Sequence, residues 1–194
     1  YYENTGKIKP AADSLWYPYL DGCYDEEKIN ELITYCRVAI WRGIYRKAFL
    51  EKNNIRFYTD IKRFDDLPFK VETFACAKSV VMIPEYLYYY RLEREGQDVA
   101  ADDERLYVHF DIFEHLNRSI GSMKDQRLID NLQMCKIQTH RYALSKIKEE
   151  YRGEYLRRAR EDLNSLCDVG RTYKIANIML GSEVADEYRK IIVV

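Results

Sequence analysis

The sequence has no excess of charge of either sign, because its 31 Lys and Arg residues nearly balance 32 Asp and Glu residues. A nearly neutral chain argues against a dedicated electrostatic site for nucleic acid. The sequence also lacks a signal peptide and any apolar run long enough to span a bilayer. These absences lead us to expect a cytoplasmic protein that does not bind nucleic acid.

Paired cysteines are lacking as well. No Cys-x-x-Cys motif occurs, and the histidines do not stand at zinc-ligand spacing from the cysteines. The pattern predicts reduced thiols at Cys23, Cys36, Cys76, Cys135 and Cys167, and no metal site. Three histidines lie in helical stretches, and we interpret them as surface or core polar residues rather than ligands: His109, His115 and His140.

What the chain does contain is enough apolar sequence for one domain, or for a small domain with an extension. Its 194 residues are 47% hydrophobic and 32% charged. Tyrosine is abundant, with 18 copies, and its flat apolar ring with a hydroxyl suits both a core and a carbohydrate contact. The sequence begins at Tyr1 rather than Met, so we expect that preceding sequence is missing.

The first half of the sequence predicts short mixed elements. Residues 1–22 read as a loop with room for one short strand. The further predictions are a helix capped by Asp25 and reaching Cys36, a helix from Arg46 to Asn53 ended by a left-handed Asn, a helix at Asp65-Asp66, a buried strand from Ser79 to Ile83, a strand from Leu87 to Leu92, and a mobile loop at Glu95–Asp98.

From Asp102 onward the apolar spacing is helical throughout. The pattern predicts a helix ending near Gly121, a long helix ending by Gly153, a third ending at Gly170, and a last one interrupted at Gly181-Ser182. The predicted fold class is α+β and predominantly helical, with a few short strands followed by a helical tail. We place the boundary so that residues 1–103 precede a C-terminal helical extension, residues 104–194.

The segment Asp65-Asp66-Leu67-Pro68-Phe69 has the composition of a first helical turn, where Pro is tolerated. Either carboxylate could cap the helix, and the positive end of the helix dipole would keep it ionised. A carboxylate held in this way could also act as a general base. The residues alone leave both interpretations open.

Three blocks of the sequence, in order, resemble bacterial family-2 glycosyltransferases, which are inverting enzymes of the GT-A fold. The blocks are Ile40-Trp41-Arg42-Gly43-Ile44-Tyr45-Arg46-Lys47-Ala48-Phe49-Leu50 with Asn54-Ile55-Arg56-Phe57, then Asp65-Asp66-Leu67-Pro68-Phe69, then Leu87-Tyr88-Tyr89-Tyr90-Arg91 with Arg94-Glu95-Gly96. Two positions depart from the family pattern: Asp65 replaces Glu, and Gln97 replaces Ser.

The resemblance implies that residues 1–103 are the acceptor-side part of a catalytic domain with a partial GT-A-like α/β segment. The nucleotide-binding half, with its Asp-x-Asp motif, would precede Tyr1. The resemblance implies no cofactor bound by this chain, and a divalent metal, Mg or Mn, only with that missing half.

The same resemblance implies roles for individual residues. Asp66 would be the general base, and Asp65 would orient it or the acceptor. Arg91 and Arg94 would reach the diphosphate. The alternative for these arginines is salt bridges to the acidic residues Glu93, Glu95 or Asp98.

Aromatic side chains complete the implied site. Trp41, Tyr88 and Tyr90 would stack on a sugar ring. The alternative is that they pack in the core, since alternation along a strand buries every second residue whatever the function.

The resulting hypothesis is the C-terminal part of an inverting glycosyltransferase in bacterial surface-polysaccharide biosynthesis, inactive as this fragment. Its partners would be a nucleotide-sugar donor and a saccharide or lipid-linked acceptor. It would be cytoplasmic or peripherally bound at the inner face of the membrane. The alternative is a non-enzymatic helical module that forms homo-oligomers through its tail.

Overall fold

The computed structural model describes residues 8, 10, 22–25, 28–83, 85–91, 101–165 and 168–193. The first part contains β1 (Gly22–Asp25), α1 (Glu31–Tyr35), a 3-10 turn (Ile40–Arg42), α2 (Lys47–Lys52), α3 (Asp66–Cys76) and β2 (Ser79–Met82). The second contains a 3-10 turn (Glu104–Tyr107), α4 (Val108–Ser122), α5 (Gln126–Lys146), α6 (Glu149–Asn164), α7 (Val169–Met179) and α8 (Ser182–Val193). The predicted fold class, α+β and predominantly helical, is confirmed.

The sheet consists, in the described part, of β1 and β2 paired antiparallel, with Asp25 opposite Ser79. The strand predicted at Ser79 is confirmed, but its predicted burial is wrong, since Val81 is 66% exposed and Ile83 is exposed too. A β-branched run favours a buried strand, yet a ribbon of two strands has too few neighbours to cover both faces.

The second predicted strand, from Leu87 to Leu92, is wrong over its described residues. Residues 85–90 form no strand, and Arg91 makes only an isolated bridge. Extended, tyrosine-rich sequence has strand propensity, but a ladder needs a neighbouring strand to bond. Leu92 and the loop predicted at Glu95–Asp98 lie outside the described residues.

The first helix begins later than predicted. Asp25, expected as its N-cap, belongs to β1, and the Asp25 carbonyl accepts the N–H of Ile29 in a turn. The helix proper, α1, then starts at Glu31. Its predicted apolar face is nonetheless correct, because Leu32 and Ile33 are buried.

Helix α2 confirms the helix predicted between Arg46 and Asn53 to within one residue at each end. Asn54 follows with a left-handed backbone, φ 52°, as expected of the Asn pair. No side chain of α2 is buried. The helix therefore lies on the surface.

The helical tail is confirmed, but two of its predicted boundaries are wrong. The long helix expected to reach Gly153 is two helices, α5 and α6. The backbone turns extended at Ile147, and the Lys148 N–H donates to the Asp102 carbonyl at 2.8 Å. Gly153 lies inside α6 instead.

The other wrong boundary is Gly170, which lies in the first turn of α7. The helix begins there because the Asp168 carboxylate accepts the Arg171 N–H at 3.0 Å. The predicted interruption at Gly181-Ser182 is confirmed, since α8 starts at Ser182.

Two clusters of buried apolar side chains form the core. The first joins α1 and α3 to α4 and α5: Ile33, Ile61, Leu67, Val71, Ile112, Phe113, Leu116, Ile120, Leu128, Leu132 and Cys135. The second joins α4 to the helices that follow it: Ala101, Leu106, Phe110, Met134, Ile137, Ala143, Leu144, Ile147, Tyr155, Ala159, Leu163, Ala176, Ala185, Tyr188 and Ile191. Because the first cluster has members on both sides of residue 103, the two predicted parts of the chain pack on each other.

Two further findings concern the described residues alone. None of their helices combines the length and the apolar character needed to cross a bilayer. The four cysteines among them are free thiols, as predicted: Cys23, Cys36, Cys76 and Cys135. Cys167 lies outside the described residues.

Candidate active site

The Asp65-Asp66 pair lies where the chain enters α3, with Asp66 as the first helical residue. Among the described contacts, the Asp65 carboxylate accepts no hydrogen bond from the start of the helix. Asp65 already has a helical backbone, φ −62° and ψ −17°, whereas a capping residue usually has an extended one. The helix-cap interpretation is therefore wrong for Asp65.

The backbone just before the pair is fixed by packing. Phe64 has φ 54°, a rare conformation for an aromatic residue that costs roughly 1–3 kcal/mol. Its ring is partly buried against both core clusters and lies 4.8 Å from the His109 ring. The core therefore sets the direction in which the chain enters α3.

Helix α3 is anchored one turn further on. Lys70 is buried, and its ammonium donates to the carbonyls of Ile33 and Cys36, at 2.8 Å each, at the end of α1. Cations at a helix C-terminus bind its unsatisfied carbonyls favourably. Asp66 is thus carried by a helix that the core and a buried lysine hold in place.

The electrostatic surroundings of Asp66 raise its pKa. Burial is the largest cause, and the neighbouring charge of Asp65 adds to it, while a hydrogen bond from the Ile40 backbone amide opposes both. Burial therefore acts on Asp66 in the direction opposite to the helix dipole, which favours the ionised carboxylate. A carboxylate with a raised pKa is a stronger base towards a hydroxyl proton.

Tyr45 lies beside Asp66, a neighbour that the sequence did not indicate. Burial raises the pKa of the Tyr45 hydroxyl, and the charge of Asp66 raises it further. The ring packs edge-on against Phe69 at 5.1 Å, and the hydroxyl donates to the Ile40 carbonyl at 3.4 Å. Gly43 makes room for this ring.

The predicted aromatic residues come together in one cluster. Trp41 stacks on Tyr90, with ring centroids 4.6 Å apart and planes 10° from parallel, and Tyr88 lies at 6.3 Å, tilted by 42°. Tyr88 is exposed, and the other two rings are half-buried. The backbone amide of Ile40 binds Asp66, and Trp41 of the aromatic cluster is the next residue along the chain.

The predicted phosphate-binding arginines are only partly described. Arg91 follows the aromatic cluster directly and is exposed. Arg94 lies outside the described residues. The described geometry thus joins Asp65, Asp66 and Trp41 through Ile40, and Trp41 to Tyr88 and Tyr90.

A second carboxylate of α3 has a different environment. The Glu72 carboxylate accepts a hydrogen bond from the Tyr58 hydroxyl at 2.8 Å and lies 3.2 Å from His115 Nε2. Burial, and then this hydrogen bond, raise the pKa of Tyr58. His115 belongs to α4, so the cluster joins α3 to the helical tail. No sequence spacing indicated it.

A chain of buried polar side chains crosses the tail helices. His140 donates from Nε2 to the Asp162 carboxylate at 2.9 Å. Its Nδ1 therefore accepts a hydrogen bond from the Tyr155 hydroxyl at 3.0 Å. Tyr155 then accepts from His109 Nδ1 at 3.1 Å, and Lys136 donates to Asp162 at 2.7 Å. The interpretation of His109 and His140 as core polar residues is confirmed.

The pKa shifts in this chain follow burial. Burial lowers the pKa of His109 to about 3, and it lowers the pKa of His140 as well. Burial alone would raise the pKa of Asp162, but His140 and Lys136 hold it below its usual value. The two histidines are therefore neutral, and the ionised Asp162 pairs with Lys136. We interpret the network as structural.

Metal binding was expected only in sequence preceding Tyr1. Within the described ranges, no three His, Cys, Asp or Glu side chains are grouped so that they could hold a metal ion. None of the described residues is therefore assigned to a divalent ion.

Over 52 residues the chain is 40% identical to a protein of Bacillus subtilis (strain 168) described as "Uncharacterized glycosyltransferase EpsJ". The match covers 27% of this chain and 15% of that protein. No protein-family model matches the chain, and no solved structure matches it. The similarity supports a relation to glycosyltransferases and does not extend to a particular family or substrate.

Proposed function

We propose that this chain is the C-terminal, acceptor-side part of an inverting glycosyltransferase of family 2 and the GT-A fold. The whole protein would transfer a sugar from a nucleotide-sugar donor to a saccharide or lipid-linked acceptor. The observation that carries the proposal is Asp66, a half-buried carboxylate with a raised pKa, bound by the amide of the residue before Trp41. The partial similarity to a glycosyltransferase supports the same reaction class.

In this reaction Asp66 takes the proton of an acceptor hydroxyl while the hydroxyl oxygen attacks the anomeric carbon of the donor. The bond to the nucleoside diphosphate breaks with inversion, and the diphosphate leaves with its negative charge. Arg91 would neutralise part of this charge, as would Arg94 outside the described residues. Trp41, Tyr88 and Tyr90 offer flat apolar rings for the acceptor sugar.

The donor site, with a divalent metal that would neutralise the diphosphate, is proposed to lie in sequence preceding Tyr1. The residues 1–103 would form the acceptor half, and residues 104–194 the helical extension that supports it. We therefore expect this 194-residue chain alone to be inactive. Transfer catalysed by the chain alone would show that no further donor half is needed.

The test is turnover by the full-length protein in a screen of nucleotide-sugar donors. Asp66→Asn should lower kcat by roughly 10²- to 10⁴-fold, the contribution of a general base. Asp60→Asn, at an exposed carboxylate before α3, is the matched control and should retain full activity. The proposal fails if the full-length protein turns over no donor, or if Asp66→Asn is as active as the control.

The alternative of a helical oligomerisation module predicted a large exposed apolar face. Among the described residues from 101 to 193, the exposed large apolar side chains are Met123, Tyr142, Val169 and Ile178. They lie on different elements, or, for the two on α7, nine residues apart and so on opposite sides of the helix. Scattered residues of this kind do not form a docking face. Homo-oligomer formation stays a prediction, and light scattering at high concentration tests it.

A further inference from the structure

One surface of the protein lies beside the candidate site, and apart from Trp41 and Tyr88 its residues have no role in the proposed chemistry. It consists of Trp41, which is half-buried, and the exposed side chains of residues 42–57, together with those of residues 81–83 and 85–89. We name it the basic–apolar surface. Its two stretches meet where Trp41 contacts Tyr88 at 6.3 Å between ring centroids.

The surface is basic although the whole chain has a net charge of −1. The surface contains two carboxylates, Glu51 and Glu85, against five cations. All five cations are exposed: Arg42, Arg46, Lys47, Lys52 and Arg56. The nearest opposite charge to Lys47 is that of Glu51 at 3.5 Å, one helical turn away and itself half exposed. A partner with negative charge is therefore favoured here.

The same surface exposes aliphatic and aromatic side chains between the cations. Ile44 stands between Arg42 and Arg46 and is fully exposed. Phe57 is exposed at the end of the first stretch, and Leu87 is 69% exposed in the second stretch. The other exposed apolar residues there are Val81, Ile83, Tyr86, Tyr88 and Tyr89. Soluble proteins rarely leave apolar residues grouped in this way without a partner.

The combination selects one kind of partner. Cations bind lipid phosphates, and Tyr and Trp rings favour the headgroup region of a bilayer. Aliphatic side chains are stabilised only when they leave water for an apolar phase. Nucleic acid would satisfy the cations and the rings, but Ile44 and Leu87 cannot stack on bases as rings do. We propose that the basic–apolar surface docks the protein on an anionic lipid bilayer.

Docking would also place the candidate site. The Ile40 amide binds Asp66, and Trp41 belongs to the surface itself, so the carboxylate lies at the edge of the docked face. An acceptor sugar carried on a membrane lipid would then be presented to Asp66. This last step rests on the proposed transfer reaction, whereas docking does not.

The test is flotation of the chain with phosphatidylcholine vesicles that contain, or lack, phosphatidylglycerol. The chain should float only with the anionic vesicles, and salt should weaken the binding. Arg46→Gln/Lys47→Gln should weaken partitioning about 25-fold, about fivefold for each cation. Lys146→Gln/Lys174→Gln, at two exposed lysines on α5 and α7, is the matched control and should bind as the parent does.

Ile44→Ser separates lipid from other anionic partners. It should weaken vesicle binding about tenfold without altering the urea midpoint, because the side chain is fully exposed. The proposal is overturned if the parent does not float with anionic vesicles at low salt, or if the control variant loses as much binding as Arg46→Gln/Lys47→Gln. It is also overturned if Ile44→Ser binds vesicles as the parent does while a single-stranded oligonucleotide binds more tightly. Vesicle binding needs no turnover, so its failure leaves the transferase proposal standing.

Discussion

Gly43 is the residue at which one methyl group tests the arrangement around Asp66. A Cβ at Gly43 would lie 2.6 Å from the Tyr45 hydroxyl oxygen and 2.7 Å from the ring carbon that carries it. The backbone at Gly43, φ −110° and ψ 151°, is open to alanine. The substitution Gly43→Ala therefore forces the Tyr45 side chain to move.

The size of the effect follows from what Tyr45 loses when it moves. Its edge-on contact with Phe69 contributes about 0.5–1.5 kcal/mol. Its hydrogen bond to the Ile40 carbonyl is long, so it belongs at the low end of about 0.5–1.5 kcal/mol. Alanine gains back about 0.4–1 kcal/mol by restricting the unfolded chain. We expect a net destabilisation of about 1 kcal/mol, and a lower Asp66 pKa because water reaches the carboxylate.

Urea unfolding of Gly43→Ala measures this change. The matched control is Gly153→Ala, because a Cβ there meets no described atom within 4 Å, and an Ala inside a helix should stabilise by roughly 0.5–1 kcal/mol. A double-mutant cycle with Tyr45→Ala isolates the clash. If Gly43→Ala costs as much in the Tyr45→Ala background as in the parent, the steric reasoning is wrong.

The buried network of the tail makes two further predictions. Lowering the pH from 7 to 5 should cost about 2 kcal/mol of stability through His109, because its folded pKa of about 3 lies below an unfolded value of about 6.5. This stability is present above the unfolded pKa of about 6.5 and is lost as the pH falls towards 3. His109→Asn should therefore flatten the pH dependence of the urea midpoint. If the variant keeps the pH dependence of the parent, burial of His109 is not what makes the stability depend on pH. Lys136→Met should destabilise by about 3 kcal/mol in the same assay, because it removes one partner of a buried pair. Arg157→Ala, at an exposed pair, should leave the urea midpoint unchanged, and equal losses in both variants would contradict the role of burial.

The parts of the fold that were predicted correctly are those that depend on residues close together in the sequence. The stripe Phe110, Phe113 and Leu116 is buried as expected, because its spacing acts within one helix. The end of α5 was missed, because the Lys148 N–H bonds the distant Asp102 carbonyl there, and no Gly or Pro marks the break.

The same distinction applies to the candidate site. Trp41, Tyr88 and Tyr90 were predicted individually, and their residue types are informative because flat rings suit sugars. Their stacking on one another depends on how two distant segments pack, and the strand predicted for the second segment is wrong. Tyr45 was missed for the same reason, since its place beside Asp66 depends on the space left at Gly43.

Two opposing effects act on the Asp65-Asp66 pair at the start of α3. A helix N-terminus stabilises a carboxylate by about 0.3–1 kcal/mol, which lowers its pKa by less than about one unit. Burial and the charge of Asp65 act in the other direction, and they raise the pKa of Asp66 even with the Ile40 amide bound. The Asp65 carboxylate accepts no described capping hydrogen bond, and its charge raises the pKa of Asp66. The residue that the family pattern would have as Glu therefore favours proton uptake by its neighbour, which is what a base acting on an acceptor hydroxyl requires.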